Sequence, residues 1–290
     1  MSAQARASLG DRVAWEGAFS RVQEILEQAE RYQVAVLTTG DDSYPEWLRI
    51  IPRSPAWPAL RRMYRDTGAV SLRRRGHAPD RLDPRGARVE CCQRTRYWCR
   101  HSCAPGSFSL ARPHNSCARD GLEAVYPKKN SRLAADILDA GGALLSEQPF
   151  GTPAIPRNLV QRDRLQSGMF AGTIVMQTDI MGGSMHTVRF TFLQGRLLFA
   201  PMPHGPHADE PKNRGIVALV RASGRELARM VNAEGDYQHL LERTFGSGPA
   251  ATQIAGREDY DKLLLAMLDQ VVRADAPAST RRDDPQLGLF

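Results

Sequence analysis

The chain has 290 residues, of which 42% are hydrophobic and 24% charged, with 39 basic side chains against 32 acidic ones. That length suffices for one large α/β domain with smaller appendages. No apolar run reaches the roughly 20 residues of a membrane span and no basic-apolar-small N-terminus suggests export, so no membrane partner is expected and the expected location is the cytoplasm.

Residues 18–31 place Phe19, Val22, Ile25, Leu26 and Ala29 at helical spacing, which predicts an amphipathic helix, and a strand is expected over Val34 to Thr38. The segment from Asp41 to Leu48, with Tyr44, Pro45 and Trp47, reads by itself as a turn entering a helix. After about Ala69 the periodicity collapses into an Arg, Cys, Pro and Ser rich stretch. Residues 71–120 hold eleven Arg and no Lys against four acids, an excess of seven that equals the net charge of +7 for the whole chain. Overall basicity therefore does not identify a nucleic-acid surface, and local clusters have to. All five cysteines, Cys91, Cys92, Cys99, Cys103 and Cys117, fall in the same stretch with His101 and His114. Their spacing is irregular and lacks paired Cys-x2-Cys hooks, so an incidental cluster is the better reading than zinc, and no metal site is expected.

From Gly121 to Pro203 the pattern alternates between helix-length and strand-length runs. Asn130 or Ser131 can cap a helix with Leu133, Ala134, Ile137 and Leu138 on its apolar face, stopped at Gly141-Gly142. A strand at Ala143 to Leu145, a helix from Asn158 to Met169, a strand at Thr173 to Met176, a Gly182-Gly183-Ser184 turn and a strand at Leu197 to Ala200 follow. Strands alternating with helices across short loops imply a parallel sheet of Rossmann type. Met169, Phe170, Met176, Phe190, Phe192, Leu197, Leu198 and Phe199 are core candidates. Val188, Phe190 and Phe192 alternate as a strand would.

Gly121 with Tyr126-Pro127, then Asn130, Gly142, Leu145-Ser146-Glu147, Arg162-Asp163-Arg164, Gly182 to Thr187 and Gln194-Gly195-Arg196 occur in this order over some eighty residues. Together they resemble the core of the DNA-processing protein A (DprA, or Smf) family, and the segment from Asp41 to Leu48 resembles the motif that precedes that core. Asp163 stands where the family usually has Asn, and His186 follows Met185 where it prefers an aliphatic residue. The resemblance implies a helix rather than a strand from Ser184 to Leu193. It also implies two earlier strands and a glycine loop where residues 70–120 show no such pattern. Codons allowed for Arg73 onward, read one nucleotide later, can spell Val-Ala-Val-Gly-Thr-Arg-Pro-Thr. Those for Pro113 to Asp120 can spell Arg-Thr-Ile-Ala-Val-Leu-Gly-Thr. The stretch reads as a frameshifted translation of the family's first Rossmann half, with the frame restored at Gly121.

The expected fold is therefore α/β, a Rossmann-like parallel sheet with helices on both faces, incomplete in its first half, plus a C-terminal helical segment. The expected divisions are residues 1–69 leading into the core, 70–120 anomalous, 121–203 the core, 204–274 helical and 275–290 a flexible tail. In the tail, helices are expected near 215–221, 225–231, 237–245 and 258–273. The last of these carries Tyr260, Leu263, Leu264, Met267, Leu268 and Val271 on one stripe, suited to docking on the core or on a partner helix.

In the family, single-stranded DNA lies across the carboxyl ends of the sheet, where helix-start amides and basic side chains meet phosphates. Carried onto this chain, the resemblance implies DNA contacts from Lys128, Lys129 and Asn130, from Arg162 and Arg164, and from Gly183, Ser184 and Thr187. Read without it, the lysines are a solvated turn and the arginines an exposed helix face or an internal salt bridge. Ser184 lacks a His or acid partner at a recognisable spacing and is better explained as part of a cap and anion nest than as a nucleophile. No Walker A, GxGxxG or metal-binding His pair occurs. The expectation is a binding protein with no catalytic residues and no cofactor.

The final pentapeptide, Gln286, Leu287, Gly288, Leu289 and Phe290, resembles the bacterial sliding-clamp-binding motif. In that motif the Gln makes polar contacts and the Leu-Phe pair fills an apolar pocket. The family resemblance further implies a RecA-type recombinase as partner during DNA uptake or recombination, and admits a homodimer. A nucleotide-hydrolysing Rossmann protein and a defective remnant of the family are the alternatives.

Overall fold

The computed structural model describes residues 12–41, 44–49, 51, 59–61, 115–118, 120–139, 143–153 and 155–275. The described chain falls into two compact units. The first is drawn from residues 12–44, 59–61 and 115–162, the second from 45–51 and 163–275. The division falls between Arg162 and Asp163, so the segment read as one core, 121–203, contributes to both units.

The first unit contains helix α1 (Arg12–Arg31), strands β1 (Val34–Val36), β2 (Ala59–Arg61) and β3 (Asn115–Cys117), helix α2 (Ser131–Asp139) and strand β4 (Ala143–Ser146). Its sheet has the order β1-β2-β4-β3. Strands β1 and β4 run antiparallel to β2, whereas β3 and β4 run parallel, with Asn115 opposite Ala143 and Cys117 opposite Leu145. Every residue of β4 is buried, as expected of a strand covered on both faces. Helix α2 packs Ala134, Ile137 and Leu138 against Leu144, Val34 and Ala29, and Tyr32 stacks on Phe150 at 5.8 Å between ring centroids.

Helix α1 forms where the sequence placed it and begins earlier. Of its predicted apolar face, only Ala29 is fully buried, while Phe19 is 65% exposed and Leu26 53%. The stretch read as patternless ends in β3. Backbone pairing to a buried, apolar neighbour lets the polar Asn115-Ser116-Cys117 form a strand that its side chains do not announce.

The second unit continues α3 (Pro156–Gly168) into β5 (Gly172–Ile174), α4 (Ser184–Leu193), β6 (Leu197–Pro201), α5 (Arg214–Arg221), α6 (Gly224–Met230), α7 (Gly235–Thr244), β7 (Thr252–Ile254) and α8 (Tyr260–Asp275). Its sheet, β5-β6-β7, is entirely parallel, with Ile174 opposite Phe199 and Pro201 opposite Ile254. The alternation of β6 sorts its side chains between two cores. Leu198 and Ala200 join Val188, Phe192, Ile216, Leu219, Leu227 and Leu241, while Phe199 joins Ile254 and Leu263. Helices therefore cover both faces of this sheet, and the apolar stripe of α8 packs on the core through Leu263 and Met267.

The chain is thus α/β with parallel β-α-β units, as expected, but its strands are shared between a mixed and a parallel sheet. The helix from Ser184 to Leu193 is present. The apparent alternation of Val188, Phe190 and Phe192 is also an i, i+4 pair, and Val188 and Phe192 are buried together on one helix face. Met176, expected in the core, is 54% exposed, because β5 ends at Ile174 and Met176 lies in the loop beyond it. The region read as purely helical supplies β7, whose exposed Thr252 and Gln253 give no strand signal. Among the described residues no helix is long and apolar enough to cross a membrane.

Candidate nucleic-acid interface

In parallel α/β sheets the loops beyond the carboxyl ends of the strands collect helix N-termini and unpaired amides, so ligands gather there. Each unit has such an end.

In the first unit the loops that follow β3 and β4 are bonded to each other. Ser146 Oγ donates to the Asp120 carbonyl (2.6 Å) and accepts from the Gln148 amide (3.0 Å), and Glu123 accepts from the Gly151 amide (2.9 Å). Arg162 is 2% exposed, and its Nη1 donates to the Cys117 carbonyl at the end of β3, 3.1 Å away. The Arg162 side chain anchors α3 to the strand from inside and does not present its charge to a ligand, which corrects the reading of it as a DNA contact. The loop then turns through a cis Tyr126-Pro127 bond into a single 3-10 turn, Lys128–Asn130, directly ahead of α2. Lys128 and Lys129 are exposed, whereas Asn130 is 4% exposed, so of these three only the lysines offer polar groups at the surface. The cleft behind this turn, lined by Ala118, Asp120, Leu122, Tyr126 and Asn130 among others, encloses about 40 Å³. Small-molecule sites occupy roughly 300–1,000 Å³, so the cleft does not suit a nucleotide.

In the second unit β5 leads through residues 175–183 into α4. The turn at Thr178–Asp179 is pinched between two glycines. Gly182 donates its amide to the Asp179 carbonyl, and Gly215, in the first turn of α5, donates to the Thr178 carbonyl, both at 2.9 Å. A Cβ on Gly215 would stand 2.7 Å from the Thr178 carbonyl oxygen and 2.8 Å from that of Asp179, which no side chain tolerates. The starts of α4 and α5, which follow the neighbouring strands β5 and β6, thereby share one rim. Gly183 is exposed, and Ser184 and Thr187 are half-buried on the first turn of α4. The cap position belongs to Gly183 and carries no side-chain cap bond, so Ser184 is the first helical residue rather than the cap. The first-turn amides of a ten-residue helix still carry its positive end. His186 is exposed.

Arg164 is half-buried on α3. Two residues along a helix lie about 200° apart, so Arg162 and Arg164 cannot act as a pair on one face. A separate element of the expected pattern, Gln194-Gly195-Arg196, closes the end of α3. Gln194 Oε1 accepts from Ser167 Oγ (2.7 Å) and its Nε2 donates to the Arg164 carbonyl (2.8 Å), while Gly195 takes the left-handed turn at φ 60°. Sequence reasoning missed Thr178, Asp179 and Gly215 as rim residues. Their signal was their place in the loops after two parallel strands, not their residue types.

Cys117 is fully buried in β3, and the other four cysteines lie outside the described residues, as does Gln286 to Phe290. Among the described residues no group of three metal-ligating side chains occurs.

A family model described as DNA recombination-mediator protein A matches residues 115–238. Protein Smf of Escherichia coli is 38% identical over 95 residues, 30% of this chain and 25% of that protein. DNA processing protein DprA of Bacillus subtilis is 31% identical over 123 residues, 42% of this chain and 39% of the relative. The crystal structure of DNA processing protein A from Streptococcus pneumoniae superposes with a TM-score of 0.45 at 17% identity, covering 86% of this chain and 82% of that one. The match begins at β3, where the anomalous stretch ends, and covers both strand-end rims. Over residues 115–238 the chain resembles the DNA recombination-mediator protein A family, and it spans between a quarter and a half of the length of the curated relatives it matches.

Proposed function

We propose that the protein binds single-stranded DNA and, like a recombination mediator, holds it for loading of a RecA-type recombinase in the cytoplasm. The observation that carries this reading is the pair of exposed lysines, Lys128 and Lys129, on the turn between a parallel strand and its helix. A strand-end turn of this kind puts ammonium groups and helix-start amides on one phosphate backbone. Gly183, Ser184 and Thr187 supply the corresponding helix start in the second unit, and Arg164 adds charge. Arg162 serves by holding α3 to the end of β3, and Asn130 is buried beneath the turn. The mechanism is positional, with no covalent step. A homodimer and a sliding clamp complete the partner set, the clamp being taken by Gln286, Leu287, Leu289 and Phe290. Deletion of that pentapeptide abolishes clamp binding if this assignment holds and leaves it unchanged if it does not.

Titration of a fluorescent oligothymidylate at several salt concentrations tests the main reading. Each phosphate contact contributes roughly 0.7 to the slope of log affinity against log salt on single strands. Lys128→Ala/Lys129→Ala should lower the slope by about 1.4 and weaken binding severalfold. Equal slopes in the two proteins would remove the lysines from the interface, and absence of binding by the natural sequence would end the reading.

A further inference from the structure

The basic side chains of the second unit are not confined to the rim. Over residues 211–230 there are five, Lys212, Arg214, Arg221, Arg225 and Arg229, against one acid, Glu226, whereas the whole chain has 39 against 32. All five are exposed. Among the described residues none of them is held in a salt bridge.

Their placement follows from the helices. In α5, Gly215, Ile216, Ala218, Leu219 and Val220 are buried, which leaves Arg214, Val217 and Arg221 as its outer face. The two arginines are seven residues apart, on the same side and about 10 Å along the axis. In α6, Leu227 and Ala228 are buried and Arg225 and Arg229 stand four apart on the outer side, about 6 Å along the axis. Only Ala222 and Ser223 separate the two helices. Glu226 is engaged by the Ser223 cap, where the Ser223 amide and hydroxyl both donate to it at 2.9 Å. The two outer faces carry four arginines against one acid, Glu226, which the Ser223 cap already engages and Arg229 also attracts, and such an excess suits a regular polyanion rather than a mixed-charge protein face.

We propose that the outer faces of α5 and α6 form a phosphate track that continues the rim, so that a strand gripped at the starts of α4 and α5 runs on along Arg214, Arg221, Arg225 and Arg229. The inference rests on the single-stranded DNA reading above and adds to it a second segment of backbone. Arg221, Arg225 and Arg229 set the length of strand the protein occludes, whereas the rim sets whether it binds at all.

Binding of an oligothymidylate of about ten nucleotides is compared with one of about forty, for the natural sequence and for the triple variant Arg221→Gln/Arg225→Gln/Arg229→Gln. The expected result is at least a tenfold loss of affinity for the long strand, a salt slope lower by about 2, and less than a twofold change for the short one. The matching Lys triple should keep the natural slope, and the single Arg225→Gln with an unchanged melting curve gives the same direction if the triple variant folds poorly. Equal affinity of the natural sequence for both lengths, or a slope untouched by the triple variant, overturns the track. Failure of the natural sequence to bind either strand overturns the parent reading instead. A slope change seen equally with anionic vesicles would reassign the patch to a membrane surface.

Discussion

The guanidinium of Arg196 lies 4.1 Å over the ring of Trp47, and its Nη2 donates to the carbonyls of Trp47 and Gly168, each 3.2 Å away. Three motifs that are distant in sequence meet there. The short helix Glu46–Arg49, the end of α3 and the Gln194-Gly195-Arg196 turn close into one clamp, with Leu48 and Ile51 against the face of Gly168. Burial lowers the pKa of Arg196 to about 10, which leaves it charged at neutral pH.

Because that charge is 7% exposed and caps two carbonyls, Arg196→Met should cost about 2–4 kcal/mol, through the two stranded acceptors and the lost cation-π contact. Trp47→Leu should cost less, as it keeps both hydrogen bonds. Chemical denaturation of the two variants checks the order. A smaller loss for Arg196→Met than for Trp47→Leu would show that ring packing, not carbonyl capping, holds the clamp.

Gly215→Ala places a methyl group against the Thr178 and Asp179 carbonyls and must push α5 away from the β5 loop. A destabilisation of about 1–3 kcal/mol is expected from overpacking. Single-stranded DNA affinity, measured well below the melting temperature, should fall by at least tenfold, since the rim is displaced. Gly248→Ala, where a Cβ meets nothing within 4 Å, is the matched control and should leave binding unchanged.

Tyr237 is 5% exposed, stacks on Phe192 at 6.4 Å, and among the described residues has no hydrogen-bond partner for its hydroxyl. Burial raises its pKa from 10.0 to about 12, opposed by Arg189 over its ring. A folded pKa above the unfolded one gives a contribution that is complete below pH 10 and lost as pH rises toward 12. Tyr237→Phe should therefore match or exceed the natural sequence at pH 7 by up to about 1 kcal/mol, because no bond is broken. It should also lose less stability between pH 10 and pH 12. Melting curves at pH 7 and pH 11 decide it, and parallel losses in both proteins would mean that the phenol does not govern the alkaline limb.

The frameshift reading makes a prediction at the level of the gene. The nucleotide sequence for residues 73–120, read one position later, should encode Val-Ala-Val-Gly-Thr-Arg-Pro-Thr and then Ala-Val-Leu-Gly in order. A protein made from the repaired frame should melt higher and bind DNA more tightly, because a sheet that gains strands loses an open edge. If the other frame holds no such residues, the divergence is native to this protein.

Much of this fold could be read from residues. The helices from Ser131 to Gly168 and all four in the tail fall within two or three residues of their predicted bounds, because each carries buried side chains at helical spacing between capping or glycine signals, whereas the helix Ser184–Leu193 was expected only from the family resemblance. The short strands were harder. Asn115-Ser116-Cys117 and Thr252-Gln253-Ile254 owe their pairing to apolar neighbours in β4 and β6, and nothing local reports that. At the candidate site the lysines entered through the family resemblance, since by composition they read as a solvated turn, and the structure leaves them exposed. The split roles of Arg162 and Arg164 were not, since sequence shows spacing but not which side of the helix faces inward. The glycines at 182 and 215 were visible as residues, yet their function depends on a turn between them that only the fold assembles.

Strand β7 and helix α8 lie beyond residue 238, where the family match stops. They supply the third strand of the second sheet and the cover over Phe199, and Gln270 Nε2 donates to the Gly195 carbonyl at 2.7 Å. A fragment trimmed to the shared segment would leave β6 with a bare flank and a greasy underside. Ancestry and foldability have different borders in this molecule, and residues 252–275 belong to the second kind of inheritance.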